Sequence, residues 1–286
     1  MDLKSLKALL NKTAFEENNR AVPEFEGLSP NNMLDVLHDP FGEDCPIQFK
    51  ELNVVDYNDI PMFCLSKYMA NIIRNSGELK LTVKGFLPVK IVAELYAQGF
   101  IKEYFIESGL SKLYKEADSI TISLSKILLE LSGIIKKRNG KLSLTKLGEK
   151  VLANDRMFFE LIFKGFITKY NWAYFDRYGD FTIGRTAAAF SLILLSKYGN
   201  EKRVDSFYAL KYLDAFPSLI YNLDPESSSP MDSFIRCYSK RTFERFLVYF
   251  QMVNIEEEGT NYFDKKNFIS KTEMFDKLFK VNLKLF

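Results

Sequence analysis

A mainly α-helical fold with short β-hairpins is the class that this sequence predicts, and three observations predict it. Apolar residues recur at helical spacing through most of the chain. Glycines and prolines interrupt these stripes at intervals suited to short helices. Asn139-Gly140 stands between two short strand-like runs, a strong hairpin signal, because a type I′ turn needs positive φ at both central residues.

Taken in order, residues 2–12 place Leu3, Leu6, Leu9 and Leu10 on one face of a short amphipathic helix, expected to dock on the main body. A polar stretch follows through Gly27. In LSPNNMLDVLHDPFG, Ser29 is a capping residue, Pro30 suits a first helical turn, and Pro40 with Gly42 ends the helix. From Ile60 to Ser76 an apolar stripe predicts a helix stopped by Gly77, after which LKLT alternates like a strand. Pro88 opens PVKIVAELYAQ and Gly99 closes it. The charged and aromatic stretch FIKEYFIESGLSKLYKEAD leads into ISLSKILLELS, ended by Gly133. The strand IIKK, the turn RNG and the strand KLSLT follow, and Thr145 leads the helix KLGEKVL.

Helix, strand, helix, helix, strand, turn, strand is the order of a winged helix, a helix-turn-helix core with a β-hairpin wing. The phrases GELKLTVKG (77–85) and GKLSLTKLG (140–148) look alike, and both are strand-to-helix joins. In the C-terminal half, MFFELIFKGFITKYNWAYFDRY reads as a very apolar helix, GRTAAAFSLILLSKYG as a buried one, and VDSFYALKYLDAF as a third. DPESSSP (224–230) is the clearest loop and the best candidate for a mobile segment. Beyond it come the helical MDSFIRCYSKRTFERFLVYFQMV, the strand NIEEE, a GTN turn, YFDKKNFIS and the closing helix TEMFDKLFKV. That order predicts a second winged-helix-like unit. The organisation expected is a helical extension over 1–58, a winged-helix domain over 59–155, and a helical domain with the second unit over 156–286.

With 286 residues and 47% hydrophobic content the chain can bury a sizeable core. The formal charge of +2 predicts no global attraction to nucleic acid or anionic lipid, so such binding needs a local patch. Cys45, Cys64 and Cys237 fit neither a disulfide framework nor a CxxC metal site, which points to a reducing cytoplasm. No signal peptide or membrane span is expected. Neither GxxxxGK[ST] nor GxGxxG occurs, and one histidine with three scattered cysteines does not make a zinc site. Neither a metal nor a cofactor is expected. His38, beside Asp35 and Asp39, is the only near-neutral base for a dyad with Cys45 or Cys64, but no local signature supports one, so no enzyme is expected. Glu43-Asp44 and Glu256 to Glu258 read as solvated acids.

Nucleic acid is the partner that the charge clusters suggest. Lys136, Lys137, Arg138 and Lys141 surround the first hairpin turn, while Lys240, Arg241 and Arg245 lie near the helix of the second unit. The predicted recognition helix, ISLSKILLELS, is almost wholly aliphatic and looks buried, and the second hairpin carries three consecutive glutamates that phosphate would repel. A protein-protein interaction or scaffold module therefore stands beside DNA binding. Tyr170, Trp172, Tyr174 and Tyr178 form an aromatic run that is either a stacking platform or, as its place at a helix end favours, a packing cluster.

Three stretches, LSPNNMLDVLHDPF, GELKLTVKGFLP with the later GKLSLTKLG, and YNWAYFDRYGDF followed by TEMFDKLF, carry a family likeness. Together they resemble an uncharacterised bacterial family, the helical region of proteins with the plasmid open-reading-frame-three-like domain, some of which end in a SEC-C metal-binding tail. The resemblance spans most of residues 28–280. This chain has no cysteine-rich tail, and the resemblance implies a fold and no activity.

Overall fold

The computed structural model describes residues 2–176, 178–179, 182–223, 229–259 and 266–282. It is mainly helical, with short antiparallel sheets of two or three strands. The chain forms two compact units. Met1–Lys50, Asp176–Arg245 and Met252–Phe286 make the first, and Glu51–Phe175 with Phe246–Gln251 the second. Boundaries drawn from the sequence run at 58 and 155. The units divide at 50 and 175, because the apolar helix after 155 packs Phe158 against Phe63 and Phe159 against Tyr57.

The first unit opens with α1 (Leu3–Asn19), α2 (Pro30–His38) and β1 (Ile47–Phe49). Asp2 caps α1 by accepting from the Ser5 N–H. This helix runs farther than the leucine pattern suggests, and the expected docking of its leucines does not occur. None of its described residues is buried, and Leu3, Leu6, Leu9, Leu10 and Phe15 are exposed. Its polar link to α2 lies at the last turn, where Asn31 donates to Asn19. α2 starts as expected, with Ser29 and Asn32 in a reciprocal capping box and Pro30 in the first turn.

The second unit carries α3 (Pro61–Ser76), β2 (Leu79–Lys80), α4 (Val89–Ala97), α5 (Tyr104–Glu107), α6 (Ile120–Leu131), β3 (Ile135–Arg138), β4 (Lys141–Leu144), α7 (Lys146–Val151) and α8 (Asp155–Thr168). Its sheet has the order β2-β4-β3, with Leu79 opposite Leu142 and Ile135 opposite Leu144. The two similar phrases at 77–85 and 140–148 therefore become antiparallel neighbours. Asn139 and Gly140 turn the hairpin with φ of 48° and 70°, as a type I′ turn requires. Thr145 caps α7, and Gly148 lies so close to the Ile134 carbonyl that a Cβ would sit 2.1 Å from its oxygen. The core is aromatic: Phe163 and Phe166 of α8 pack on Phe246 and Phe250, and Trp172 closes on both Phe166 and Phe246.

The chain returns to the first unit with α9 (Ala188–Tyr198), β5 (Arg203–Val204), α10 (Asp205–Ala215) and α11 (Pro230–Ser239). A π-helical stretch, Lys240–Leu247, prolongs α11. Then follow β6 (Val253–Glu258), β7 (Lys266–Lys271), α12 (Glu273–Leu278) and β8 (Phe279–Val281). β5 pairs with β7, giving the order β5-β7-β6, while β1 pairs with β8 under stacked Phe41, Phe49 and Phe279. One segment of each unit, α3 to α7 in the second and α9 to α12 in the first, runs helix, strand, helices, strand, strand, helix, with its first strand paired to its last; α5 is an addition in the second unit. The sequence pattern gives α9 and α10 as helices and misses β5 between them. The 224–230 loop lies outside the described residues up to 228, as do residues 260–265, which hold most of the expected GTN turn and the start of YFDKKNFIS.

Candidate nucleic-acid interface

The β2-β4-β3 sheet turns its leucines inward, since Leu79, Leu142, Ile135 and Leu144 are all buried. Side chains alternate along a strand, so the neighbouring positions face solvent. Register then places Lys80 opposite Lys141 and Lys141 opposite Arg138, a row of three cations across three strands. Lys136, two residues before Arg138, shares that outer face. Like charges directly opposite one another destabilise a sheet by about 0.2–1 kcal/mol per pair. Glu78 relieves the row in part by pairing with Lys141 at 2.5 Å. Lys137 leans the other way, its amine 2.8 Å from where a Cβ on Gly85 would stand. Gly85 belongs to the 82–86 turn, which also carries the exposed Lys84.

Lys80 and Lys84 are absent from the sequence-derived set. The hairpin signal finds residues 136–141, but only the cross-strand register of β2 brings Lys80 to the same sheet, and the turn that follows carries Lys84. The likeness of GELKLTVKG to GKLSLTKLG is the one signal that hints at their pairing.

α6, the helix that the sequence reading puts at the recognition position, is largely buried. Residues 121–126, 128 and 129 are buried, including Ser123, Ser125 and Lys126. Lys126 is ion-paired to the buried Glu116, which also accepts from the Leu87 N–H at 2.6 Å. Ser125 meets Ser66 of α3, and Glu103 accepts from the N–H groups of Ile120 and Thr121 at the start of the helix. Ser123, Ser125 and Lys126, the groups on this helix that resemble base contacts, are therefore engaged within the protein.

The second charge cluster is corrected by the structure. Arg241 is 1% exposed and is a core residue. Its Nε and Nη2 hold both carboxylate oxygens of Asp176 at 2.7 and 2.9 Å, its Nη1 donates to the Ile183 carbonyl at 3.2 Å, and Tyr178 lies by its guanidinium. Lys240, half-buried, is bound to Glu244 one helical turn on. Arg245 is half-buried as well. Helical spacing shows that these residues share a segment but not that Asp176, more than sixty positions earlier, lies opposite. On the neighbouring hairpin, Glu256, Glu257 and Glu258 are exposed, and Lys202 pairs with Glu256.

The aromatic run does not form one platform. Tyr170 and Trp172 are buried in the second unit, where the indole N–H donates to the Phe166 carbonyl at 3.0 Å. Tyr174 is exposed with Phe175 at its edge, and Tyr178, half-buried, belongs to the first unit beside Arg241.

His38 ends α2, exposed to solvent. Cys45 is buried and Cys64 half-buried, donating to the Asn58 carbonyl. Burial pushes both thiols above their ordinary range, away from the thiolate that nucleophilic chemistry needs. Among the described residues, no group of three His, Cys, Asp or Glu side chains is placed to hold a metal ion, and no helix is long and apolar enough to cross a membrane.

No family model, curated protein or solved structure matches the chain, so the reading of its function rests on these residues alone.

Proposed function

We propose that this chain is a non-enzymatic, nucleic-acid-associated protein of two winged-helix-type units, which holds phosphate backbone on the wing sheet of the second unit without reading bases. The shared element order and sheet order of the two units support the winged-helix reading. One observation carries the binding reading: Lys80, Lys141 and Arg138 form a cross-strand row of like charge, flanked by Lys136. Such a row costs stability in the free protein and is relieved by a polyanion. The burial of Ser123, Ser125 and Lys126 on α6 withdraws its candidate base contacts, so affinity would be insensitive to sequence.

The test is binding to labelled mixed-sequence oligonucleotides across a salt series, beside a variant with Lys136, Lys137, Arg138 and Lys141 changed to Ala. The expected result is salt-dependent binding whose slope against log salt becomes shallower in the variant, by about one unit for each phosphate that is no longer neutralised. Absence of binding at low salt, or a variant that binds like the parent, overturns the reading.

An interaction or scaffold module is the second reading, favoured by α1. A helix of this length depends on packing an apolar face, yet Leu3, Leu6, Leu9 and Leu10 are exposed. If this reading holds in place of the first, replacing those leucines with Ser abolishes partner binding and leaves oligonucleotide binding at zero in both proteins.

A further inference from the structure

We infer that the nucleic acid held by the second unit is single-stranded, with its bases stacked on exposed rings of the segment between α4 and α6. The inference rests on the phosphate-binding reading above and specifies its ligand.

In a helix-turn-helix the second and third helices are joined by a turn of a few residues. Here residues 98–119 lie between α4 and α6, and they carry α5. Within this insert Tyr104, Phe105 and Tyr114 are 73%, 63% and 62% exposed. Large rings bury readily, so three in eleven residues left in solvent form a surface that invites a partner. Cations are interleaved with them: Lys112 and Lys115 are exposed, and Lys102 pairs with Glu107.

The insert is held in place. Glu103 binds the start of α6 through the N–H groups of Ile120 and Thr121, and the Ser111 N–H donates to the Phe105 carbonyl at 2.7 Å, folding the segment back on itself. Asp118 accepts from the N–H groups of Tyr114 and Lys115 at 2.9 and 3.0 Å, which fixes the backbone that presents Tyr114. Tyr104 and Phe105 meet edge to face at 5.6 Å between ring centres.

The insert is also joined to the basic sheet. Glu116, two residues beyond Tyr114, accepts from the Leu87 N–H at 2.6 Å, and Leu87 leaves the 82–86 turn whose Gly85 faces the Lys137 amine. Val83 and Lys84 stand exposed on that turn. The connection therefore runs from β3 through Lys137 and the 82–86 turn, which carries Lys84, to Glu116, two residues from Tyr114. Cations tracking a backbone, with rings on which successive bases stack, are the recognition chemistry of single strands. A duplex keeps its bases stacked on one another and offers these rings nothing, and α6 cannot enter its groove.

The experiment measures fluorescence anisotropy of the full chain with labelled oligo(dT) of about 20 nucleotides, longer than the ~4–16-nucleotide footprint of small single-strand-binding folds, and with a duplex of equal length, over a salt series. The variants are Tyr104→Ala with Phe105→Ala, Tyr114→Ala, and the conservative Tyr114→Phe. Circular dichroism and thermal unfolding confirm that these exposed-site variants keep the parent fold.

The inference expects tighter binding to oligo(dT) than to duplex at equal salt. It expects a loss of roughly five- to hundred-fold for each stacked ring removed, with the salt slope unchanged, and retention of affinity by Tyr114→Phe. Equal or tighter binding to duplex, with the ring variants neutral, overturns the inference and leaves phosphate binding standing. Equal competition by polyglutamate of matched charge also overturns it. Binding to neither nucleic acid overturns the phosphate-binding reading itself.

Discussion

Arg241 separates a buried structural ion pair from a nucleic-acid contact, and its removal has a calculable cost. The guanidinium makes two charge-assisted bonds to Asp176 and one to the Ile183 carbonyl, and the Arg241 and Asp176 side chains are 0% and 4% exposed. Hydrogen bonds to charged groups contribute about 1.5–3 kcal/mol each, but the three share one group and do not add. Removing one partner of a buried pair costs about 3–5 kcal/mol, because the carboxylate left behind stays buried without the charge that paired it. Arg241→Ala is therefore expected to lower the stability of the first unit by that amount, read as a shifted urea midpoint by far-ultraviolet circular dichroism. Arg241→Lys keeps the charge, loses the planar fork, and falls between the two. Replacing both Arg241 and Asp176 with Leu recovers most of the loss, since no lone charge remains. A cost below about 1 kcal/mol for Arg241→Ala, accompanied by weaker oligonucleotide binding, would place the guanidinium in solvent and refute the argument.

Two further outcomes are expected. Burial opposes charge on Glu26, but Lys197, Tyr198 and Lys211 together outweigh it and hold its carboxyl below the usual 4.5. Its contribution to stability is thus complete above the ordinary carboxylate range and is lost as pH falls through the lowered folded value. Glu26→Gln should be less stable than the parent near pH 7, with a flatter acid limb in urea midpoints taken from about pH 7 to pH 3; identical limbs would refute this. Lys80→Glu relieves the row of like charges on the hairpin sheet, and so should raise the thermal stability of the second unit by about 0.5–1 kcal/mol while weakening oligonucleotide binding. A loss on both counts would show that the row is not electrostatically strained.

Local signals made much of the helical plan legible. Ser29, Thr145 and the Asn139-Gly140 turn each announce a backbone feature through chemistry within a few residues, and each appears where that chemistry puts it. What the sequence hid depends on long-range partners. Nothing near Arg241 marks it as a core residue, because its carboxylate lies far back in the chain. β5, two residues long, has no period to detect, and its pairing with β7 depends on register alone. The leucines of α1 look like a docking face because periodicity reports amphipathicity and not whether a partner lies opposite. In the 98–119 insert, the interleaved lysines and rings read only as charged and aromatic until exposure separates Tyr104, Phe105 and Tyr114 from the buried rings around Trp172.

The pairing of β1 with β8 sets an order of events during synthesis. Ile47 must wait for Val281, roughly 230 residues later, and closing so long a loop is slow. The second unit takes its last piece from Phe246–Gln251, where the Tyr249 carbonyl accepts from the Met62 N–H, so it can be complete while the final strand is still on the ribosome. During that interval Phe41 and Phe49 lack the ring of Phe279 that later covers them, and an arrested or truncated chain would display that aromatic pair as a target for chaperones and proteases.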